Sequence, residues 1–174
     1  CQLAVKNRTR AQASEIDLWL LFAPVKKARL DFIAQKACEM GCSRIWPVRT
    51  DYTQVARVND DRMLANVIEA AEQTERLDIP EVMEFVPLEE ALEACGSERR
   101  LIFCDESAAG DVAANPVRVL GGAGSISSAA VLIGPEGGFS DTERAMIARR
   151  QNSLKLSLGP RILRADTAAI AALT

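Results

Sequence analysis

The sequence predicts an α/β domain with a mostly parallel sheet and helices on both of its faces. Along its 174 residues, short apolar runs alternate with segments in which apolar residues recur at helical spacing, and this alternation is typical of parallel α/β folds. The predicted strands are nearly continuous apolar runs, as expected when helices cover both faces of a sheet. Apolar residues make up 48% of the chain, which is enough to build a core. In such a fold, we expect ligands to bind at the carboxyl ends of the strands.

Six short apolar runs are the predicted strands, at residues 16–24, 44–48, 82–86, 101–104, 129–133 and 154–158. Pro47 lies inside the second of them. Because proline has no N–H to donate to a neighbouring strand, it predicts that this strand lies at an edge of the sheet or ends there.

Five segments with helical spacing are the predicted helices, at residues 26–40, 60–76, 88–95, 140–150 and 162–173. Gly41 follows the first of them and is the kind of residue that ends a helix. Ser140 and Glu143 have the spacing of a capping box, in which each side chain bonds the other residue's backbone N–H. Residues 107–128 are rich in small side chains, and we predict that they form a loop.

The composition excludes several classes of site. The chain contains no histidine, which excludes His-ligated metals, His-containing triads and imidazole acid–base chemistry. It has no run of about 18 apolar residues, so no membrane-spanning helix is predicted. The cysteines are odd in number and lack the spacing of a zinc finger, so we interpret them as reduced thiols of a cytoplasmic protein. They are Cys1, Cys38, Cys42, Cys95 and Cys104.

Charge is distributed unevenly along the chain, although the formal net charge is only −3. Residues 1–59 carry a formal charge of +5, residues 60–111 carry −11, and residues 112–174 carry +3. Sixteen of the 21 basic residues are arginine, whose planar guanidinium matches phosphate and stacks on bases. The basic ends permit an anionic partner, although a high arginine content can also reflect genome composition alone.

The sequence VLIGPEGGFSDTE at residues 131–143 predicts a ligand-binding loop between a strand and a capped helix. Its glycines allow backbone groups to approach a ligand closely, and the helix that follows presents the positive end of its dipole. We expect a branched side chain at Gly134 to obstruct a bound ligand. The pattern is neither a dinucleotide fingerprint nor a P-loop. A tight structural turn before a helix is the alternative interpretation.

A second stretch, LSLGPRILRADTAAIAAL at residues 156–173, combines a strand, a Gly-Pro turn and a helix. We predict that Arg161 and Arg164 project from the first turn of that helix. Two cations at the positive end of a helix dipole are unfavourable, so we expect an anion or Asp166 to compensate them. The alternative is a solvated helix start.

The chain resembles the SPOUT-superfamily methyltransferases, and specifically the family that methylates N3 of a uridine in 16S ribosomal RNA. Two long motifs carry the resemblance, IGPEGGFSDTE at residues 133–143 and LSLGPRILRADTAA at residues 156–169. Three shorter pieces support it: KACEMG at 36–41, EAAEQTER at 69–76 and RLIFCDE at 100–106. The resemblance extends from about residue 18 to the end of the chain.

The resemblance implies a C-terminal trefoil knot and an S-adenosylmethionine (SAM) site built from three loops of that knot. Carried over by motif, the cofactor-binding residues are Phe103, Cys104, Asp105, Glu106, Leu132, Ile133, Gly134, Gly137, Gly138, Leu156, Ser157, Leu158, Gly159, Ile162 and Leu163. It also implies a homodimer, 16S ribosomal RNA or the small ribosomal subunit as substrate, and a cytoplasmic role in ribosome biogenesis. Neither a metal nor a membrane is expected as a partner.

The N3 atom of uridine carries a proton, which must leave before this nitrogen can accept a methyl group. In the absence of histidine, the base is a carboxylate, a water molecule or a substrate phosphate. Glu136 and Asp166 are the candidate carboxylates, because both lie in the two long motifs. Arg164 is the candidate to stabilise negative charge on the uracil oxygen or to hold a phosphate. The family usually has Glu where this chain has Asp166.

The family also carries an N-terminal β-barrel that binds RNA, and we expect this chain to lack it. Residues 1–13 are then a linker or the remnant of that upstream domain, and residues 14–174 are the methyltransferase domain. Two alternatives remain open. One is a non-catalytic RNA-binding or assembly module that keeps the fold, and the other is a SPOUT enzyme that methylates a ribose 2′-hydroxyl.

Overall fold

The computed structural model describes residues 2–12 and 16–174, apart from the side chain of Lys27. Cys1 and the predicted boundary between linker and domain at residues 13–14 lie outside the described residues. Within the described ranges, no helix has the length and apolar character needed to cross a membrane. The same ranges contain no group of three or more Cys, Asp or Glu side chains arranged to hold a metal ion.

The strands are β1 (Asp17–Phe22), β2 (Arg44–Arg49), β3 (Glu81–Val82), β4 (Val86–Pro87), β5 (Arg100–Cys104), β6 (Ser128–Ile133) and β7 (Ser153–Leu156). The helices are α1 (Lys27–Glu39), α2 (Asp60–Gln73), α3 (Leu88–Ala94), α4 (Pro116–Gly122), α5 (Asp141–Ala148) and α6 (Ala165–Leu173). A single 3₁₀ turn, Glu106–Ala108, follows β5.

The described strands form one sheet in the order β3-β2-β1-β6-β5-β7, and β4 pairs with β2 beside β3. Neighbouring strands are parallel, as in the pairing of Phe22 with Ile133 and of Cys104 with both Ile133 and Leu156. The predicted parallel α/β class is therefore confirmed. Because all strands run in one direction, their carboxyl ends lie along a single edge of the sheet, and the loops that follow them are neighbours in space.

Apolar layers cover both faces of the sheet, because alternate residues of each strand point to opposite sides. Leu20 and Phe22 of β1 belong to a core that also contains residues of α1, α2 and α6. Trp19 and Leu21, which alternate with them along β1, belong to a second core with residues of α3 and α5. This double coverage explains why the strands are nearly continuous apolar runs in the sequence.

The prediction that Pro47 marks an edge is wrong, because β2 has β1 on one side and β3 and β4 on the other. The carbonyl of Ile45 accepts a hydrogen bond from the N–H of Met83 on the β3 side. Backbone groups of alternate residues point to the same side of a strand, so the backbone nitrogen of Pro47 also points toward β3 and β4. Pro47 lies between the residues that pair with β3, which end at Ile45, and those that pair with β4, which begin at Val48. In this gap between the two pairings, the absence of an N–H on Pro47 is tolerated.

Several predicted elements differ in extent from the observed ones. The strand predicted at residues 82–86 is divided into β3 and β4. The helix predicted to reach residue 76 ends at Gln73, and Glu75 has a positive φ of 55°. The segment predicted as a loop at residues 107–128 contains α4, where the Asn115 side chain caps the N–H of Val117 and Pro116 occupies the first turn. Asn-Pro is a start signal for a helix, and the many small residues nearby obscured it.

Arg76, in the EAAEQTER piece, joins the ends of two helices. Its guanidinium donates hydrogen bonds to the backbone carbonyl of Cys38 in the last turn of α1, to that of Cys42 just after the helix, and to the carboxylate of Asp78. These bonds tie the chain that follows α2 to the end of α1. This contact lies at the opposite edge of the sheet from the carboxyl ends of the strands.

Candidate functional site

A cleft of about 560 Å³, partly open to solvent, lies at the carboxyl ends of β5 and β6 and is closed by the segment between β7 and α6. Its lining residues come from the three loops predicted to bind a ligand, together with the first turns of α6. They are Cys104, Asp105, Glu106, Ala109, Ile133, Gly134, Pro135, Glu136, Leu158, Gly159, Arg161, Ile162, Leu163, Ala165 and Ala168. This is the edge at which ligands bind in open parallel sheets.

The structure brings most of the predicted cofactor-binding residues to this cleft and leaves six of them outside its lining. Those that line it are Cys104, Asp105, Glu106, Ile133, Gly134, Leu158, Gly159, Ile162 and Leu163. Phe103 and Leu132 point to the opposite face of the sheet, where they belong to the second core. Leu156 is buried in the first core, and Ser157 is buried with its hydroxyl against Gly159.

The remaining two predicted residues, Gly137 and Gly138, lie outside the lining and pack against Tyr52 and Glu106. A Cβ at position 137 would lie 3.2 Å from the Cβ of Tyr52. A Cβ at position 138 would lie 1.9 Å from the Oε1 atom of Glu106, and Gly138 also has a positive φ of 70°. Glycine at 138 is therefore required both by the backbone conformation and by the carboxylate that lies against it.

Gly134 is constrained by the protein itself. A Cβ at this position would lie 2.6 Å from the Cε2 atom of Phe139. The Phe139 ring is buried and packs edge-on against Phe103, with 5.1 Å between ring centroids. A branched side chain at Gly134 would therefore displace Phe139 in the core, so the loss of ligand binding predicted for such a substitution would be accompanied by a loss of stability.

A network of ion pairs fixes the loop that follows β5. Asp105 has a side chain that is only 1% exposed, and its carboxylate lies 2.9 Å from the Nζ atom of Lys155 and 3.3 Å from the Nε atom of Arg144. The N–H and hydroxyl of Ser107 also donate to it. Burial by itself would raise the pKa of Asp105, but the hydrogen bonds from Ser107 and Lys155 outweigh it and lower that pKa below its usual value. Arg144 donates to Glu106 as well.

The loop after β2 also belongs to this edge, and sequence reasoning missed it. The capping box of α5 is confirmed, because Ser140 and Glu143 each bond the other's backbone N–H. The second carboxylate oxygen of Glu143 accepts the N–H of Asp51 at 2.9 Å, and the Ser140 hydroxyl donates to the Asp51 carboxylate. These bonds hold exposed Tyr52 beside Gly137. The 92 residues that separate Asp51 from Glu143 made the contact invisible to local patterns.

Of the three candidate catalytic residues, only Glu136 lines the cleft, where it is exposed. Arg164 is exposed and occupies the N-cap position of α6, so the prediction that both arginines project from the first helical turn is wrong. Arg161 lies in the preceding segment and does line the cleft. Asp166 does not compensate either arginine, because it pairs with Arg29 of α1 at 3.8 Å.

Comparison with known proteins is consistent with this geometry. Residues 12–174 match the model of a family described as an RNA methyltransferase domain. Ribosomal RNA small subunit methyltransferase E of Rickettsia conorii is 30% identical over 169 residues, which cover 97% of this chain and 67% of that protein. The protein of the same name from Bacillus subtilis is 28% identical over 157 residues, covering 86% of this chain and 60% of that protein.

Solved structures show the same relationship. Ribosomal RNA small subunit methyltransferase E from Neisseria gonorrhoeae, bound to S-adenosyl methionine, superimposes with a TM-score of 0.78 at 28% identity, covering 91% of this chain and 64% of that one. A methyltransferase structure from Legionella pneumophila with bound SAM gives a TM-score of 0.75 at 33% identity, with the same coverage. The chain thus spans roughly two thirds of the length of its relatives. It belongs to the RNA methyltransferase domain family.

Proposed function

We propose that this chain is the catalytic domain of a SAM-dependent enzyme that methylates N3 of a uridine in 16S ribosomal RNA. The observation that carries the proposal is the convergence of three strand-end loops on one cleft, in a chain of the RNA methyltransferase family. Relatives named as ribosomal RNA small subunit methyltransferases, one of them bound to SAM, support the substrate class. The uridine N3 position rests on the motif resemblance alone.

The lining of the cleft is suited to a nucleoside ligand, because apolar side chains and a few polar groups converge there. Apolar side chains form one wall of the cleft, namely those of Ile133, Leu158, Ile162 and Leu163. Gly134 also lines the cleft and has no side chain, so a ligand can approach its backbone closely. When bound there, SAM supplies a methyl group on a positively charged sulfur, and its transfer to N3 leaves S-adenosylhomocysteine.

Glu136 is the carboxylate that we assign to the N3 proton. It lines the cleft and is exposed, so a substrate base at the cleft mouth is within its reach. Proton removal would leave negative charge on the uracil ring, and a cation at the same mouth would stabilise it. Arg161 lines the cleft and Arg164 follows it three residues later at the start of α6. We propose that one of the two holds the uracil oxygen or the target phosphate.

The knot and the dimer belong to the same proposal. Backbone bonds join the loop after β5 to the segment after β7, from the N–H of Gly110 to the carbonyl of Gly159 and from the N–H of Ser157 to the carbonyl of Ala114. We propose that the C-terminal segment is threaded as the trefoil knot that the family resemblance implies, and that these bonds hold it in place. Val112 (75%) and Ile162 (77%), which lie on the two segments that these bonds join, are highly exposed. Large exposed apolar side chains favour a partner surface, and we propose that the partner is a second copy of this chain.

The decisive experiment is methyl transfer from labelled SAM to small ribosomal subunits and to free 16S RNA, carried out with the full-length protein. We expect methylation, and mass spectrometry of the digested RNA should place the methyl group on N3 of a uridine. A methyl group on a ribose 2′-oxygen would support the other SPOUT branch. RNA binding without any methyl transfer, in a protein that binds SAM, would support the non-catalytic alternative. A ribosomal substrate would place the enzyme in the cytoplasm.

A further inference from the structure

Glu106 has an unusual position for a carboxylate next to a glycine loop. Its Oε1 atom lies so close to Gly138 that a Cβ there would approach it to 1.9 Å. The side chain is 34% exposed and lines the cleft beside Gly134 and Pro135. The carboxylate is therefore confined between the backbone of the glycine loop and the space that a ligand would fill.

Arg144 of α5 holds Glu106 in that position. Its Nη2 atom donates to Oε1 of Glu106, while its Nε atom donates to buried Asp105. The other cation at this loop, Lys155, bonds to Asp105. One guanidinium thus bridges two adjacent carboxylates, and this bridge fixes the direction of the Glu106 side chain.

The ion pair determines what Glu106 is able to recognise. Arg144 offsets the negative charge of Glu106, which weakens its attraction for a ligand cation but leaves Oε2 as an oriented hydrogen-bond acceptor. The neutral donors of a nucleoside that suit such an acceptor are the ribose hydroxyls. Acidic side chains near the carboxyl ends of strands take this role toward ribose in other nucleotide-binding α/β folds.

We propose that Glu106 accepts hydrogen bonds from the ribose hydroxyls of the bound nucleoside cofactor, and that Arg144 is a positioning residue that aims Glu106 at them. The inference rests on the proposed function, because it requires a SAM-type ligand in the cleft. Glycine at position 138 is needed for this arrangement, because a side chain there would displace the Glu106 carboxylate from its position beside the cleft.

The test combines variants with ligands that lack one hydroxyl, measured by calorimetry. Wild-type protein should bind S-adenosylhomocysteine about 10- to 100-fold more tightly than its 2′-deoxy or 3′-deoxy analogue, because a hydrogen bond to a charged acceptor is lost. Glu106→Ala should bind S-adenosylhomocysteine as weakly as wild type binds the deoxy analogue, and should not distinguish the two ligands. Glu106→Gln keeps the shape of the side chain but loses its charge, so its preference for the hydroxylated ligand should fall between those of wild type and Glu106→Ala.

Arg144 is tested by the same ratio of affinities. Arg144→Met should reduce the preference for the hydroxylated ligand several-fold, and Arg144→Lys should restore part of it. Arg149→Ala changes an exposed arginine at the end of the same helix and should leave the ratio unchanged. A purely structural role for Glu106 or Arg144 would weaken both ligands equally, and this result would overturn the inference. If wild-type protein binds neither S-adenosylhomocysteine nor SAM, the proposed function itself is rejected. If it binds both but the variants lose affinity for the hydroxylated and deoxy ligands equally, only the inference about Glu106 and Arg144 is rejected.

Discussion

Arg29 of α1 and Asp166 of α6 form an ion pair, with 3.8 Å between the guanidinium Nε and the carboxylate Oδ2. The pair joins two helices that pack on the same face of the sheet. It keeps the Asp166 carboxylate engaged beside the cleft, and it leaves Glu136 as the carboxylate of the two long motifs that lines the cleft itself.

Replacing Glu136 with Gln should reduce single-turnover methyl transfer by about 100-fold or more, because general bases contribute 10²- to 10⁴-fold to such rates. SAM affinity should change little, since the amide keeps the size of the side chain. Asp166→Asn is the matched control and should retain most of the rate. A normal rate for Glu136→Gln combined with a large loss for Asp166→Asn would move the role to Asp166.

Arg161 and Arg164 should differ in their effects. Because Arg161 lines the cleft and Arg164 is exposed at the N-cap of α6, we expect Arg161→Ala to lower the single-turnover rate by about 10²- to 10³-fold, as for loss of one oxyanion donor. Arg164→Ala should mainly lower the affinity for RNA, and it should make that affinity less dependent on salt concentration. Rates and RNA affinities measured at two salt concentrations separate these outcomes, and the reverse pattern would return the catalytic role to Arg164.

Gly134→Ala should destabilise the fold through Phe139 by about 1–3 kcal/mol, the usual cost of overpacking a core. Urea unfolding followed by circular dichroism measures this change in the free energy of unfolding. Phe139→Leu removes the ring atoms that the new methyl group would meet, so the double variant should lose less than the sum of the two single variants. Additive losses would show that the contact between these residues does not cause the instability.

Asp105 should contribute to stability at neutral pH and lose that contribution in acid. Its pKa is lower in the folded protein than the usual value of 3.8, so the contribution is complete above about pH 5 and disappears as pH falls through the folded-state pKa. We expect Asp105→Asn to be less stable than wild type at pH 7 and to approach it near pH 2. Urea midpoints across this range provide the measurement, and a gap that persists unchanged at low pH would contradict the assignment.

The position of the cleft could be predicted from local patterns, because the features that define it are local. Strand ends, the glycine loop and the capping box of Ser140 and Glu143 all depend on residues within a few positions of one another. The parallel class followed from the alternation of apolar runs with helical segments. In a parallel sheet, the loops after β5, β6 and β7 all lie along the edge formed by the carboxyl ends of the strands. Helix α4 was missed although its Asn115-Pro116 signal is equally local, since the surrounding small residues are typical of loops.

What the sequence by itself determined was therefore the parallel α/β class and two of the loops at the cleft, while the third, after β5, was implied by the family resemblance. Only the tertiary structure decided how charged side chains are paired there. It joined Asp166 to Arg29, set Glu106 between Gly138 and Arg144, and brought Arg161 rather than Arg164 to the cleft. Such pairings join elements far apart in the chain, and the direction of a long side chain depends on which partners the fold brings within reach. Hydrophobic periodicity carries no information about that choice.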